Sequence, residues 1–480
     1  MNIAAVKGHA HPIEYRPIYS APYDCDQEIL ASIANTKRFL ERWVADEQFR
    51  AEVLLDAQKA ADRHEIEVDA EAIRPLWDRV SSTDPVNVSA QVYYYREYCR
   101  EKLAMRDQMR IADGEPEHAL FRKWRQRQIN RFFRQVPLAE AVAVVHAPFA
   151  VELNQGCSVG CWFCGVAAPP LSATFEYTPE NSKLWRNILS ELHSVIGAGA
   201  QTGFCYWATD PLDNPEYESF LGDFHREFDR FPQTTTAQPL RDVTRLKALL
   251  AKTTSQRPMI NRFSTLSLHM FNSVHRLYTA DELLHVEIVC QQPESIATKA
   301  HAGRARHAPV SRDHGSSLEA PTQRHSTIAC VSGFLINLPL GEVRLISPVP
   351  ASERWPLGYR VYGQARFTDA SSFRDAICGL IRSGMRESLR LDDIVSIESN
   401  LELSSENNIV NVRSGRFSHT FRDCEDSDAL LMLIGRLQGG PVSVEQVMVE
   451  MQATCPLPRI FSLMNLLLNV GLIDDEQFIA

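Results

Sequence analysis

The 480-residue chain is 44% apolar and 23% charged, the balance of a globular protein with more than one domain. Its formal net charge of −10 argues against a general nucleic-acid binder, which needs clustered Lys and Arg. No run of about eighteen apolar residues suggests a membrane span, and Met1 to Ala10 lacks a basic stretch followed by an apolar core, so a cytoplasmic protein is expected.

Residues 1–145 read as a helical domain. After an arm over His11 to Tyr23, Ile29, Ile33, Phe39, Leu40, Trp43 and Val44 fall at helical spacing, Phe49, Val53 and Leu54 continue it, and Pro75 breaks the pattern. The stretch Arg38 to Asp69 suits either two-helix packing or a likeness to leader segments of ribosomal peptide precursors. Phe121 to Arg134 carries Arg122, Lys123, Arg125, Arg127, Arg131 and Arg134 between Trp124, Phe132 and Phe133. On a helix this makes a basic face with an aromatic seam, either solvated or a docking strip for an acidic peptide.

From residue 146 to 387 short apolar runs alternate with amphipathic helices, which predicts a parallel sheet curled toward a barrel. Expected strands cover Pro148–Asn154, Gly203–Ala208, Thr234–Ala237, Arg262–Leu268 and His285–Gln291. Expected helices start at Thr178-Pro179, at Asn214-Pro215 and at Val243. The segment from about 300 to 326 is rich in Gly, Pro, Ser, Arg and His and reads as a mobile insertion; His301, His307, His314 and His325 are taken as solvated. Thr327 to Leu338 and Glu342 to Pro348 then form a hairpin. Residues 388–480 look like a separate unit: a hairpin over Ile409–Arg413 and Ser418–Phe421, followed by helices at Asp426, Ser443 and Pro456.

The densest chemistry lies just after the first expected strand, in Gly156-Cys157-Ser158-Val159-Gly160-Cys161-Trp162-Phe163-Cys164-Gly165. Three thiolates spaced C-x3-C-x2-C can hold three irons of a [4Fe–4S] cube and leave the fourth open to a small chelator. A structural zinc site would need a fourth close ligand and usually a second knuckle, which the chain lacks. The other eight cysteines stand singly, which suits reduced thiols in a reducing compartment and argues against a second cluster.

This spacing resembles the signature of the radical S-adenosylmethionine (radical SAM) enzymes. The run Ala147 to Gly156 with the cysteine loop, together with Cys330-Val331-Ser332-Gly333-Phe334, is similar to the proteusin-type peptide epimerases, and the likeness extends from residue 147 to the C-terminus. The resemblance implies an α/β fold: a partial (β/α)6 radical SAM barrel with a helical N-terminal domain and a winged-helix-like C-terminal domain for leader-peptide recognition. It implies a [4Fe–4S] cluster on Cys157, Cys161 and Cys164, with SAM beside Phe163 and its ammonium near Ala208, Thr209 and Asp210. Ser264, Ser267 and His269 are the candidates for its ribose and carboxylate. The implied reaction turns L- into D-residues of a precursor peptide: a 5′-deoxyadenosyl radical removes the Cα hydrogen and a thiol returns one from the other face. Cys378 best matches the donor, with Cys330 in reserve. A flavodoxin or ferredoxin would supply electrons. A radical SAM peptide cyclase and a non-catalytic iron–sulfur peptide-binding protein are the alternatives.

Overall fold

The computed structural model describes residues 15–19, 26–78, 88–254, 259–307, 324–414, 417–422 and 426–479. Aspartates punctuate the first helices. Asp26 caps α1 (Gln27–Ala45), Asp46 both ends α1 and caps α2 (Glu47–Leu55), and Asp56 caps α3 (Ala57–Arg63). Each carboxylate accepts from backbone N–H groups that the helix itself leaves unpaired. Phe39, Phe49, Val53 and Trp77 form the shared core. Pro75 does not break a helix; it sits in the first turn of α4 (Arg74–Trp77), where its missing N–H costs nothing. α5 (Ala90–Gln108) packs along α1.

α6 (Ala119–Gln135) overturns both expectations for the basic strip. Arg122 and Lys123 are exposed, but Arg125, Arg127, Arg131 and Arg134 are all buried. Their guanidinium groups end on carbonyls. Arg125 donates to His146 O at 2.7 Å, Arg127 to Arg386 O at 2.7 Å, Arg131 to Pro348 O at 2.7 Å and Arg134 to Gly471 O. A planar five-donor group can be buried once its N–H groups find such acceptors. α6 therefore ties the sheet to the C-terminal unit and offers no basic docking face. α7 (Leu138–Ala141) follows.

The chain is a mixed α/β protein. β1 (Ala147–Glu152), buried throughout, is followed by the short pair β2 (Asn154–Gln155) and β3 (Ala173–Thr174). α8 (Pro179–Ile196) starts at Thr178, and α9 (Tyr217–Phe228) starts two residues past Pro215. Then come β4 (Thr235–Thr236), α10 (Val243–Thr254), β5 (Asn261–Thr265), α11 (Leu268–Leu277) and β6 (Val286–Cys290). β4, β5 and β6 are mutually parallel.

The expected strand over 203–208 shrinks to one parallel bridge, Phe204 to Ala150. A side chain distant in sequence takes part of the pairing: Ala208 N–H donates to the Glu152 carboxylate rather than to a neighbouring strand. The flanks of the expected insertion also have structure, since β7 (Lys299–Ala300) pairs with β8 (Arg324–His325). Residues 308–323, with His314, lie outside the described residues.

β9 (Val331–Asn337) runs parallel to β1, and β10 (Glu342–Pro348) and β11 (Tyr359–Arg366) extend the sheet antiparallel, in the order β1-β9-β10-β11. α12 (Ala370–Gly384), with a full capping box at Asp369, packs on α8, β10 and β11. The main core joins Trp185, Ile188 and Leu192 of α8 to Phe220 and Phe224 of α9 and to Phe334 and Ile336 of β9.

A second core lies wholly within 389–473. It is built from β12 (Ile394–Val395), the antiparallel set β13 (Glu402–Glu406), β14 (Ile409–Ser414) and β15 (Phe417–Phe421), then α13 (Ser427–Gln438), β16 (Val442–Ser443), α14 (Val444–Met451) and α15 (Leu457–Asn469). β13 was not expected. It turns into β14 through Asn407 and Asn408, both at positive φ, a pairing that Asn tolerates in a two-residue hairpin.

Candidate functional site

The cysteine loop leaves the sheet just past the carboxyl end of β1, where α/β folds collect reactive groups. Gly156 makes the turn possible. Its φ is +82°, and a Cβ there would lie 2.2 Å from Pro170 O. Cys157 N–H donates to Pro169 O at 2.9 Å, and at the far end Arg304 N–H donates to Cys164 O at 2.9 Å.

Cys157, Cys161 and Cys164 are half-buried free thiols. Burial pushes the Cys161 thiol up to about 11, and Cys164 and Cys157 push in the same direction, so the three groups share one electrostatic neighbourhood. Ala168 N–H donates to Cys164 Sγ at 3.4 Å. Among the described residues, no three His, Cys, Asp or Glu side chains are assembled as a metal-ligand set. The thiols thus share a loop without being drawn to one point. As a donor set, three soft sulfurs with mutual repulsion suit a soft or borderline metal, whose positive charge offsets theirs.

Phe163 is half-buried and meets Trp162 edge-on at 5.2 Å, with Trp162 58% exposed. The segment Ala208-Thr209-Asp210 does reach the end of β1. Thr209 Oγ1 accepts from Asn154 Nδ2 at 3.1 Å. Asp210 is already held by the protein: its carboxylate accepts from Leu212 N–H, from Thr236 Oγ1 and from Ala237 N–H at 2.7 to 3.0 Å, three donors for about four lone-pair positions. Ser264 lies half-buried in β5, His269 is exposed, and exposed Ser267 caps α11 by accepting from Met270 N–H.

Burial raises the Asp210 carboxyl to about 6 even against these hydrogen bonds. A folded value above the unfolded one, about 3.9, contributes stability that is full below pH 3.9 and lost as the pH rises through 6. Melting curves should therefore show wild type gaining on Asp210→Asn as the pH falls from 7 to 4. Asp210→Ala, which strands two backbone donors, should cost about 2 kcal/mol.

Several site residues have no motif to announce them. Glu152, at the end of β1, accepts from Ala208 N–H at 2.9 Å and Asn337 Nδ2 at 2.8 Å, and burial raises its carboxyl. Asn154 Oδ1 is buried with no hydrogen-bond partner among the described residues. Asp213 holds Ser158 of the cysteine loop from a distant segment. The Pro211-Leu212-Asp213 turn carried no periodic signal in the sequence.

The two thiols expected as hydrogen donors lie in different surroundings. Cys378 is half-buried on α12, against the main core. Cys330, just before β9, packs against the cluster that holds Ala147, Ala150 and Phe204, as do Tyr206 and Trp207, and also against that of Phe132 and Val144. Burial pushes its thiol up to about 11, opposed by Arg262.

A mixed α/β fold with a three-thiol loop at a strand end is therefore the class of protein in hand. The chain belongs to the family of the uncharacterized protein y4wI of Sinorhizobium fredii, with which it is 37% identical over 434 residues, 87% of this chain and 83% of that one. No protein-family model matches the chain. The crystal structure of BtrN in complex with AdoMet and 2-DOIA overlaps 48% of this chain and 80% of its own at a TM-score of 0.29 and 16% identity, too little to establish a common fold. Among the described residues no helix is long and apolar enough to cross a membrane.

Proposed function

We propose that this chain is a radical SAM enzyme that epimerises residues in a ribosomally made precursor peptide. The observation that carries the reading is the C-x3-C-x2-C loop itself: three unpaired, half-buried thiols at the end of a β-strand. In this reading Cys157, Cys161 and Cys164 hold a [4Fe–4S] cluster, which with bound SAM supplies a 5′-deoxyadenosyl radical. Phe163 flanks the adenine, and Asn154, Ala208 and Thr209 surround the methionine end. Asp210 lies on the same wall, and its remaining lone-pair position is the one offered to the ammonium. Ser264 stays a candidate for the ribose, and Ser267 is used as a helix cap. The unit from 388 to 480 binds the leader peptide in a winged-helix manner.

That radical would take the Cα hydrogen of an L-residue as 5′-deoxyadenosine and leave a planar carbon. A thiol of this chain would then give its hydrogen to the opposite face, and the thiyl left behind would be restored by one electron from an external flavodoxin or ferredoxin and one proton from solvent. The reading assigns this thiol to Cys378, with Cys330 in reserve.

Co-expression with the precursor in D2O tests it. Each converted residue should gain one deuterium with no other mass change, whereas a crosslink would lose two hydrogens. Cys378→Ala should still release 5′-deoxyadenosine anaerobically and yield no D-residue. If Cys378→Ala epimerises normally and Cys330→Ala does not, the donor is Cys330, whose place in the same cluster as Tyr206 and Trp207 supports that outcome. Absence of both deoxyadenosine and mass change would sink the enzyme reading.

A further inference from the structure

The Asp213 carboxylate is fully buried, yet it is the meeting point of three segments. It accepts from Ser158 N–H at 2.9 Å and from Ser158 Oγ, both in the cysteine loop, and from Gln238 Nε2 at 3.0 Å and Arg241 Nη1 at 2.9 Å, both past β4. Arg241 and Arg245 border a cleft of about 230 Å3 outside it, and both are already paired with carboxylates, Asp213 and Glu218. Their charge is used within the fold. Ser158 follows Cys157 directly, and the rest of the loop's first half, Val159 and Gly160, is half-buried or exposed. Gly160 has no atom within 4 Å of where its Cβ would be. Besides Asp213, this half is held by Cys157 N–H on Pro169 O and, more weakly, by Gln238 Nε2 on Ser158 Oγ at 3.3 Å.

We propose that Asp213 is the positioning residue of the cysteine loop: it fixes Ser158, and through it Cys157, before any metal is bound. The second clause of its role, retention of a cluster, rests on the iron–sulfur reading above; the first does not. A carboxylate that accepts from both the backbone N–H and the side chain of one residue fixes that residue's orientation, as outer partners of metal ligands do.

Hydrogen exchange on the metal-free protein tests the first clause. Asp213→Ala should speed exchange of the amides from Cys157 to Cys161 well above wild type, and by more than its lowered melting temperature accounts for, while the exchange of α8 stays close to wild type; Ser158→Ala should give a smaller change of the same kind. Unchanged loop exchange in a folded Asp213→Ala protein overturns the proposal. If Asp213→Ala does not fold, Asp213→Asn and Ser158→Ala decide it on the same amides. After anaerobic reconstitution with iron and sulfide, Asp213→Ala should lose iron to a chelator about 10- to 100-fold faster than wild type. Equal retention overturns the second clause. Failure of wild type itself to take up iron removes the cluster reading and leaves the loop exchange to judge Asp213.

Discussion

On the iron–sulfur reading proposed above, alanine at Cys157, Cys161 and Cys164 together is expected to abolish iron uptake and anaerobic release of 5′-deoxyadenosine while leaving the protein folded. The reasoning is local. All three thiols are half-buried on a loop, and none carries a hydrogen bond that the main core depends on. Truncating them should shift stability by no more than about 1 kcal/mol. Iron, by contrast, has no other set of three ligating side chains among the described residues. Iron content and deoxyadenosine are read separately, with circular dichroism as the fold control. A variant that still bound iron and cleaved SAM would show that the loop is not the cluster site.

The largest stability effect is expected at Arg360. Its guanidinium is buried and donates to Asp474 Oδ2 at 2.9 Å and Glu476 Oε2 at 2.7 Å, with Asp475 also within reach. Burial alone would raise the Asp474 carboxyl, but the hydrogen bonds and charge of Arg360 outweigh it and hold the group well below the usual carboxylate range. Arg360→Met strips these acids of their shared cation, while Asp475 keeps Gln128 and Tyr362 and Glu476 keeps Trp355; with Asp474 and Glu476 24% and 28% exposed, the loss is about 2–3 kcal/mol, below that for a fully buried pair. A denaturant midpoint reads the loss. The pH sign follows from the depressed carboxyl: the stability it contributes is present above the unfolded value, about 3.9, and fades as the pH drops further toward the folded value. Wild type should therefore lose its advantage over Arg360→Met in acid. An equal gap at pH 7 and pH 3 would show that Asp474 is not the partner that matters.

Helix starts were readable because a cap is a short-range device. Thr178 and Ser443 accept from N–H groups three residues on, as their sequence context indicates. The β9–β10 hairpin was equally legible, since alternation and the Gly341 turn lie within one segment. The stretch at 203–208 has strand-like residues too, yet its hydrogen bonding is diverted by Glu152, which stands more than fifty residues earlier.

The basic strip shows the limit most clearly. Periodicity placed its arginines on a helix but could not say what they face. Arg134 ends on the Gly471 carbonyl and Arg131 on that of Pro348, acceptors hundreds of residues away. The thiols divide in the same way. Spacing alone singled out Cys157, Cys161 and Cys164 as a candidate ligand set, because residues that share a loop are near one another whatever the fold. By itself, then, the sequence determined the loop, the helix caps and the alternation of strands and helices. Only the tertiary structure decided that Asp210 is held by Leu212, Thr236 and Ala237, that Asp213 grips Ser158, that four arginines are buried and that Cys330 shares a cluster with Tyr206. Those outcomes depend on which distant donors and acceptors meet, and no local pattern encodes such meetings.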